Sequence, residues 1–400
     1  MSLRSFFDKH EKKFKEGKLK KYFPLFEAVE SFLYSGNDNA KSPTFVRDAI
    51  DLKKTMTTVV IALLPAVFMA LYNTGYQANL TFSSVAGATS PGTWQGSLLA
   101  WLGLPFDPAN FWSNILLGTF HFLPLYLVTL VAGGFWEVLF AIVRDHEINE
   151  GFFVTSLLFP LIIPSTMPYW EVALGISFGV VFGKEVFGGV GMNVLNPALV
   201  GRAFLFFAYP AAISGDKVWV AVDGLSKATP LAKLAEGGLA HASVSWWDAF
   251  VGLIPGSMGE TSTLAILIGA AFLIYTGVAS WRIMLSVLIG MIAMALTFNL
   301  IGSSTNPMFE VTPLWHFVLG GFAFGTVFMA TDPVTAAVTK QGQFWYGLLI
   351  GVLVILVRVV NPAFPEGMML AILFGNVFAP IIDKIFINAN IKRRQLRNVV

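Results

Sequence analysis

Three acids sit where acids are costly. Glu137 lies in VAGGFWEVLF (131–140), Asp332 in ATDPV (330–334) and Asp383 near the end of the last apolar run. Ionisable groups in or beside hydrocarbon mark an ion pathway or a charge pair. A carboxylate supplies the oxygen ligands that a hard cation such as sodium takes. Each acid also has a plainer reading. Asp332 before Pro333 suits a helix N-cap, and Asp383 can face headgroups. Lys184-Glu185 reads as an internal pair or an interfacial one. Beside Glu137, Gly133-Gly134 permits close approach of a flat ring or of another helix. Phe135 and Trp136 could stack on such a ring or belong to an interfacial aromatic belt. The polar stretch DGLSKATPLAK (223–233) separates two apolar halves, and its Thr229 offers a hydroxyl on a small-residue loop.

Other chemistries are not encoded. GGVGMN (188–193) lacks the glycine spacing and βαβ setting of a dinucleotide site, and no P-loop occurs. The chain has no cysteine, so it holds no disulfide, thiolate-bound iron–sulfur cluster or c-type haem attachment. His10, His121, His146, His241 and His316 are scattered without metal-ligand spacing.

The elements that position these residues are membrane helices. Of 400 residues, 55% are hydrophobic and 12% charged, against about 25% charged in ordinary soluble domains. Mean hydropathy is +0.68. Apolar runs long enough to span ~30 Å of hydrocarbon recur at 55–74, 111–142, 152–166, 171–190, 198–213, 263–278, 283–301, 315–330, 344–360 and 367–387. The second run is long enough to be tilted, or broken at Gly133-Gly134. The fold class expected is an all-α integral membrane protein of about ten transmembrane helices.

Residues 1–54 carry 12 of the 26 Lys and Arg. There Leu3, Phe6, Phe7, His10 and Phe14 share one helical face and Lys12, Lys13 and Lys15 lie elsewhere, an interfacial amphipathic pattern that Tyr22–Tyr34 repeats. The charged start contains no secretory signal pattern. Both this segment and KRRQLR (392–397) are basic, which places both ends in the cytoplasm and requires an even number of spans. Residues 75–110, 302–314 and 361–366 lack Lys and Arg and are expected outside, while Arg144, Arg282 and Lys340 mark inward loops. Residues 214–262 then lie outside.

LLFPLIIPSTMPYWEVALGI (157–176) resembles VFMATDPVTAAVTKQGQFWYGLLI (327–350), and Asn-Pro-Ala opens a span at Asn196 and again at Asn361. These elements are five spans apart. An odd separation predicts two inverted five-helix repeats, a transporter-like plan with broken helices. The expected division is a cytoplasmic amphipathic segment at 1–54, a first repeat at 55–213, an outer loop at 214–262, a second repeat at 263–387 and a basic tail at 388–400.

Two resemblances sharpen the reading. Asp223, Ser226, Ala228 and Thr229 are similar to the pattern Asp-x-x-Ser/Thr-Gly-Ala-Thr recognised by periplasmic flavin transferases, which join FMN through its phosphate to the Thr hydroxyl. Lys227 stands where Gly is usual, and its charge suits an anionic phosphate. On a larger scale, GMNVLNPALVGRAFLFFAYPAAISGDKVW (191–219), GETSTLAILIGAAFLIYTG (259–277) and MATDPVTA (329–336) resemble one family over nearly the whole chain. That family is the B-subunit of the sodium-translocating NADH:quinone oxidoreductase, with its paralogue, the D-subunit of the Rnf complex. FVRDAIDLKKTM (45–56) and the end ANIKRRQLRNV (389–399) favour the former.

The resemblance implies a multi-pass subunit of a bacterial inner-membrane respiratory complex, with covalent FMN on Thr229, non-covalent riboflavin, ubiquinone as acceptor and sodium moved outward. It implies partners: the other subunits of a six-subunit complex, among them an iron–sulfur/FAD subunit that oxidises NADH and a second FMN-carrying subunit, and a periplasmic flavin transferase. Nucleic acid is not among the partners. In the family, acids matching Glu137, Asp332 and Asp383 are associated with sodium uptake, and glycines matching Gly133 and Gly134 with the quinone site. An Rnf-type electron-transfer subunit and a flavin-free solute channel of the same inverted-repeat fold are the alternatives.

Overall fold

The computed structural model of the protein describes residues 52–83, 92–144, 151–214, 219–220, 229–241, 244–361 and 366–397, with parts of 7–27. Asp223, Ser226, Lys227 and Ala228 lie outside the described residues, as do Leu3, Phe6 and Lys12. Of the N-terminal aromatic face, Phe14 stacks on Phe26 with ring centroids 4.6 Å apart.

Among the described residues the structure is helical and holds no strand. In chain order the main helices are α1 (Leu52–Ser83), α2 (Phe111–Arg144), α3 (Gly151–Leu161), α4 (Tyr169–Gly183) and α5 (Pro197–Ala208). They continue with α6 (Thr263–Tyr275) and α7 (Trp281–Ile301), then a broken α8 (Pro313–Val318, resuming as Phe322–Phe324 and the π-helical turn Gly325–Met329). The last two are α9 (Lys340–Val360) and α10 (Met368–Arg397).

One helix falls in each expected apolar run, but only α1, α2, α7, α9 and α10 are long and apolar enough to cross a membrane. The others are shorter. The 11 residues of α3 reach only about 17 Å at 1.5 Å per residue. Of the ten or so membrane helices expected, five are thus long and the other five short or broken among the described residues. The long α2 does not break at Gly133-Gly134. It runs on through both glycines and through Pro124.

The breaks have local causes. After α3, Pro164 and Pro168 stop helix propagation, and the chain is non-helical from Ile162 to Pro168. The freed carbonyls need partners, because hydrocarbon supplies none. Gly259 N–H donates to the Leu161 carbonyl at 2.7 Å and Met258 N–H to that of Ile163 at 3.4 Å. The stretch 252–262, expected as part of an outer loop, is therefore folded against the break, with Ser257, Glu260, Thr261 and Ser262 all buried.

The second break, at Leu319-Gly320, is held by a buried cation. Arg358 of α9 is 0% exposed. Its guanidinium donates to the carbonyls of His316 at 2.8 Å, Leu319 at 2.9 Å and Glu366 at 3.0 Å. Gly320 turns the chain with φ +65°, which other residues resist. Glu366 completes the knot by accepting the Gly321 N–H at 3.1 Å.

Packing partners recur between the halves. Second packs on fourth (α2 on α4, α7 on α9), fourth on fifth (α4 on α5, α9 on α10) and first on third (α1 on α3, α6 on α8). The halves meet through α1 against α6 and α5 against α10. Small residues set the close crossings: a Cβ on Gly351 would run into the Val287 carbonyl oxygen, and one on Gly290 would lie 2.6 Å from that of Leu348. Lipid offers no hydrophobic drive between helices, so backbone proximity carries the contact.

Candidate functional site

Where the halves meet, a recess opens between α1, α3 and the 184–197 segment on one side and α6 and α8 on the other. Met56, Leu273 and Phe328 give it apolar walls, and Thr155, Lys184, Asn193, Asn196 and Asp332 give it polar ones. Asn196 is fixed by its work as N-cap of α5: its Oδ1 accepts from Ala198 N at 3.1 Å and Leu199 N at 3.3 Å, with Pro197 in the first turn. Its Nδ2 reaches Asp332 Oδ2 at 3.5 Å, which joins the two halves.

Asp332 closes a turn rather than capping a helix. It accepts from Val334 N and the Thr335 hydroxyl, each at 3.1 Å, and the next helix starts only at Lys340. That helix has its own cap, Thr339, whose hydroxyl accepts from Gly342 N at 3.1 Å. Asp383 of α10 locks the same corner: its carboxylate accepts from Val338 N at 2.7 Å, Thr339 N at 2.9 Å and the Thr339 hydroxyl. Asp383 is not among the residues lining the recess.

Glu137 is buried on α2 and ion-paired with Lys184, itself buried. The Lys184 ammonium also lies 3.8 Å from Glu185 Oε1. Arg144 sits 4.0 Å from the Glu185 carboxylate and donates to the Glu185 backbone carbonyl at 2.5 Å. The expected Lys184-Glu185 pair is thus internal and part of a larger cluster of two acids and two bases. Because Lys184 also lines the recess, it links Glu137 to the space that Asp332 faces.

Gly133 does receive a flat ring, and the ring is the protein's own: a Cβ there would meet Phe152 Cζ at 2.5 Å and Ile176 at 3.1 Å. Gly134 has more room, with Phe152 at 3.6 Å. Phe135 is exposed to the surroundings, whereas Trp136 is partly buried against the core.

Thr229 stands apart from this region. It is the N-cap of the short helix Pro230–Gly237, its hydroxyl accepting from Ala232 N at 3.2 Å. It borders a smaller cavity with Ser257, Glu260, Thr261, Gly320 and Glu366. The cavity thus touches the break at Leu319-Gly320 and the 252–262 segment, and Glu260 there pairs with Arg202 of α5 at 2.8 Å.

Sequence reasoning did not single out Thr155, Asn193 or Arg202, and it read Lys184 only with its neighbour. The Asn-Pro-Ala opening at 196 was the available signal for Asn196. The pairing of Glu137 with a residue 47 positions away has no local signal.

A membrane protein that is helical throughout its described residues, with a polar recess between α1, α3 and α6, α8, is the class these features define. A family model for the NQR2, RnfD, RnfE family matches residues 39–392. The B-subunit of the Na(+)-translocating NADH-quinone reductase from Chromohalobacter salexigens is 57% identical over all of this chain and 97% of its own length. The proteins of the same name from Ectopseudomonas mendocina and Azotobacter vinelandii are 57% and 58% identical over the whole of both chains. The chain belongs to the NQR2, RnfD, RnfE family.

Proposed function

We propose that the chain is the membrane subunit of a bacterial inner-membrane NADH:quinone reductase that moves sodium outward, with both termini cytoplasmic. The observation that carries this is full-length similarity to three proteins named as B-subunits of a Na(+)-translocating NADH-quinone reductase. The recurring packing partners support a pair of five-helix repeats, and the odd offset supports their inversion.

FMN is carried on Thr229. Its hydroxyl sits at a helix N-terminus, where the helix dipole favours a phosphate. The recess between the halves is the place assigned to riboflavin: Asn193, Asn196 and Thr155 offer hydrogen-bond groups of the kind that a ring with carbonyls and N–H groups needs, beside Phe328 and Leu273. These flavins supply electron transfer when bound. What the chain's own residues do is hold and orient: Thr229 tethers, Asn196 spans the halves, and Arg202 and Arg358 fix the buried charges near the tether.

Glu137 and Asp332 take sodium as substrate from the recess side, and Asp383 secures the corner through which α9 begins. The quinone approaches α2 near Gly134, the glycine with space beside it. NADH is oxidised on a partner subunit, consistent with a chain that lacks both cysteine and a dinucleotide motif.

The test is twofold. Mass spectrometry of the peptide 216–233 is expected to show one FMN on Thr229. The purified complex is expected to reduce quinone from NADH faster with sodium than with potassium. An unmodified peptide refutes the tether, and sodium-independent turnover refutes the pump.

A further inference from the structure

Lys184 is a primary ammonium buried within the protein, where an uncompensated charge is expensive. Its side chain is 5% exposed, as is that of Glu137, and Glu185 is 1% exposed. Glu185 has Arg144 beside it. Among these charges Lys184 is therefore the base that serves Glu137. It is also the one with freedom to leave, because its flexible stem borders the recess and a second carboxylate lies 3.8 Å away.

We propose that Lys184 is a tethered competitor for sodium at Glu137. The proposal rests on the reading of Glu137 as a sodium-accepting acid. Two cations cannot share one buried carboxylate without strong repulsion. Sodium gains the Glu137 oxygens only as the ammonium withdraws toward Glu185 or into the recess. Negative charge arriving in the recess draws the ammonium away and raises the affinity of Glu137 for the cation. Lys184 is then a positioning residue that couples the charge of the recess to cation binding, and neutralising it tightens sodium rather than weakening it.

The experiment uses the whole purified complex containing this chain, as wild type, Lys184→Gln and Lys184→Arg. Quinone reduction and equilibrium binding of radioactive sodium without turnover are measured against sodium concentration, with choline chloride holding ionic strength constant. Lys184→Gln is expected to lower the half-saturating sodium concentration about tenfold by both readouts, and Lys184→Arg to leave it within about twofold. A purely structural role would lower activity without tightening sodium.

A second measurement needs no variant: in the wild-type complex, saturating sodium, but not choline, is expected to speed modification of Lys184 by a small amine-reactive reagent. If Lys184→Gln does not assemble, this decides the matter, and sodium-insensitive labelling overturns the proposal. A sodium-dependent wild type with an unshifted Lys184→Gln overturns the competition alone. A wild type without sodium dependence overturns the functional reading and the competition with it.

Discussion

Arg202 and Glu260 form a buried ion pair, Nη1 to Oε1 at 2.8 Å, that ties α5 to the segment leading into α6. Both residues are under 9% exposed. Removing one partner leaves the other charged and uncompensated, which typically costs about 3–5 kcal/mol, whereas removing both is far cheaper. Arg202→Met alone is therefore expected to lower the melting temperature of the complex strongly. Arg202→Met combined with Glu260→Met is expected to recover most of the loss in a thermal melt followed by size-exclusion chromatography.

Thr229 caps a helix, and the proposed FMN tether is a second, separable role. Thr229→Val is expected to abolish the flavin-fluorescent band of this chain on a denaturing gel. It also removes a helix cap worth about 1 kcal/mol, a loss too small to unfold the subunit. Thr229→Ser keeps the hydroxyl and the cap, so a residual fluorescent band is expected. A band of full strength in Thr229→Val would remove the tether from the account.

Adjacent glycines on α2 should behave differently. Gly133→Ala drives its methyl into Phe152 at 2.5 Å, so loss of stability of about 1–3 kcal/mol is expected from overpacking. Gly134→Ala meets Phe152 only at 3.6 Å, an ordinary contact. The fold should tolerate it, and a changed KM for quinone in Gly134→Ala then reports a ligand contact, not repacking. An unchanged KM in a stable Gly134→Ala complex counts against a quinone beside this glycine.

Asp383 accepts three hydrogen bonds from residues 338 and 339. Asp383→Ala strips them and is expected to cost about 1–3 kcal/mol, with Asp383→Asn intermediate because one oxygen still accepts. Thermal stability of the assembled complex gives the order wild type, then Asn, then Ala. Equal melting temperatures would show the lock to be dispensable.

Hydropathy located every main helix because burial in lipid demands apolar side chains along the whole path. It misjudged their lengths for the same reason. Ile162, Ile163 and Met167 are fully buried although their backbone is not helical, so the apolar run continued past the end of α3. Ser257, Glu260, Thr261 and Ser262 belong to the expected outer loop, and their burial beside that break had no signal in their polar side chains. The acids were visible as anomalies in apolar surroundings. Their partners were not: Glu137 finds Lys184 and Asp383 finds Thr339 only through the fold. Thr229 was singled out on a motif of adjacent residues, and the fold adds its place as a helix N-cap.

The guanidinium of Arg358 has a mechanical consequence. A gap in a membrane helix is a natural elbow, yet here one rigid fork ties the near side of the gap, at the His316 and Leu319 carbonyls, to Glu366 ahead of α10, and the Glu366 carboxylate holds Gly321 on the far side. The elbow in α8 is thereby welded. Rocking of one half against the other, if it is to open a path for an ion, must pivot on the seams α1–α6 and α5–α10 and carry the welded corner along as a single rigid part.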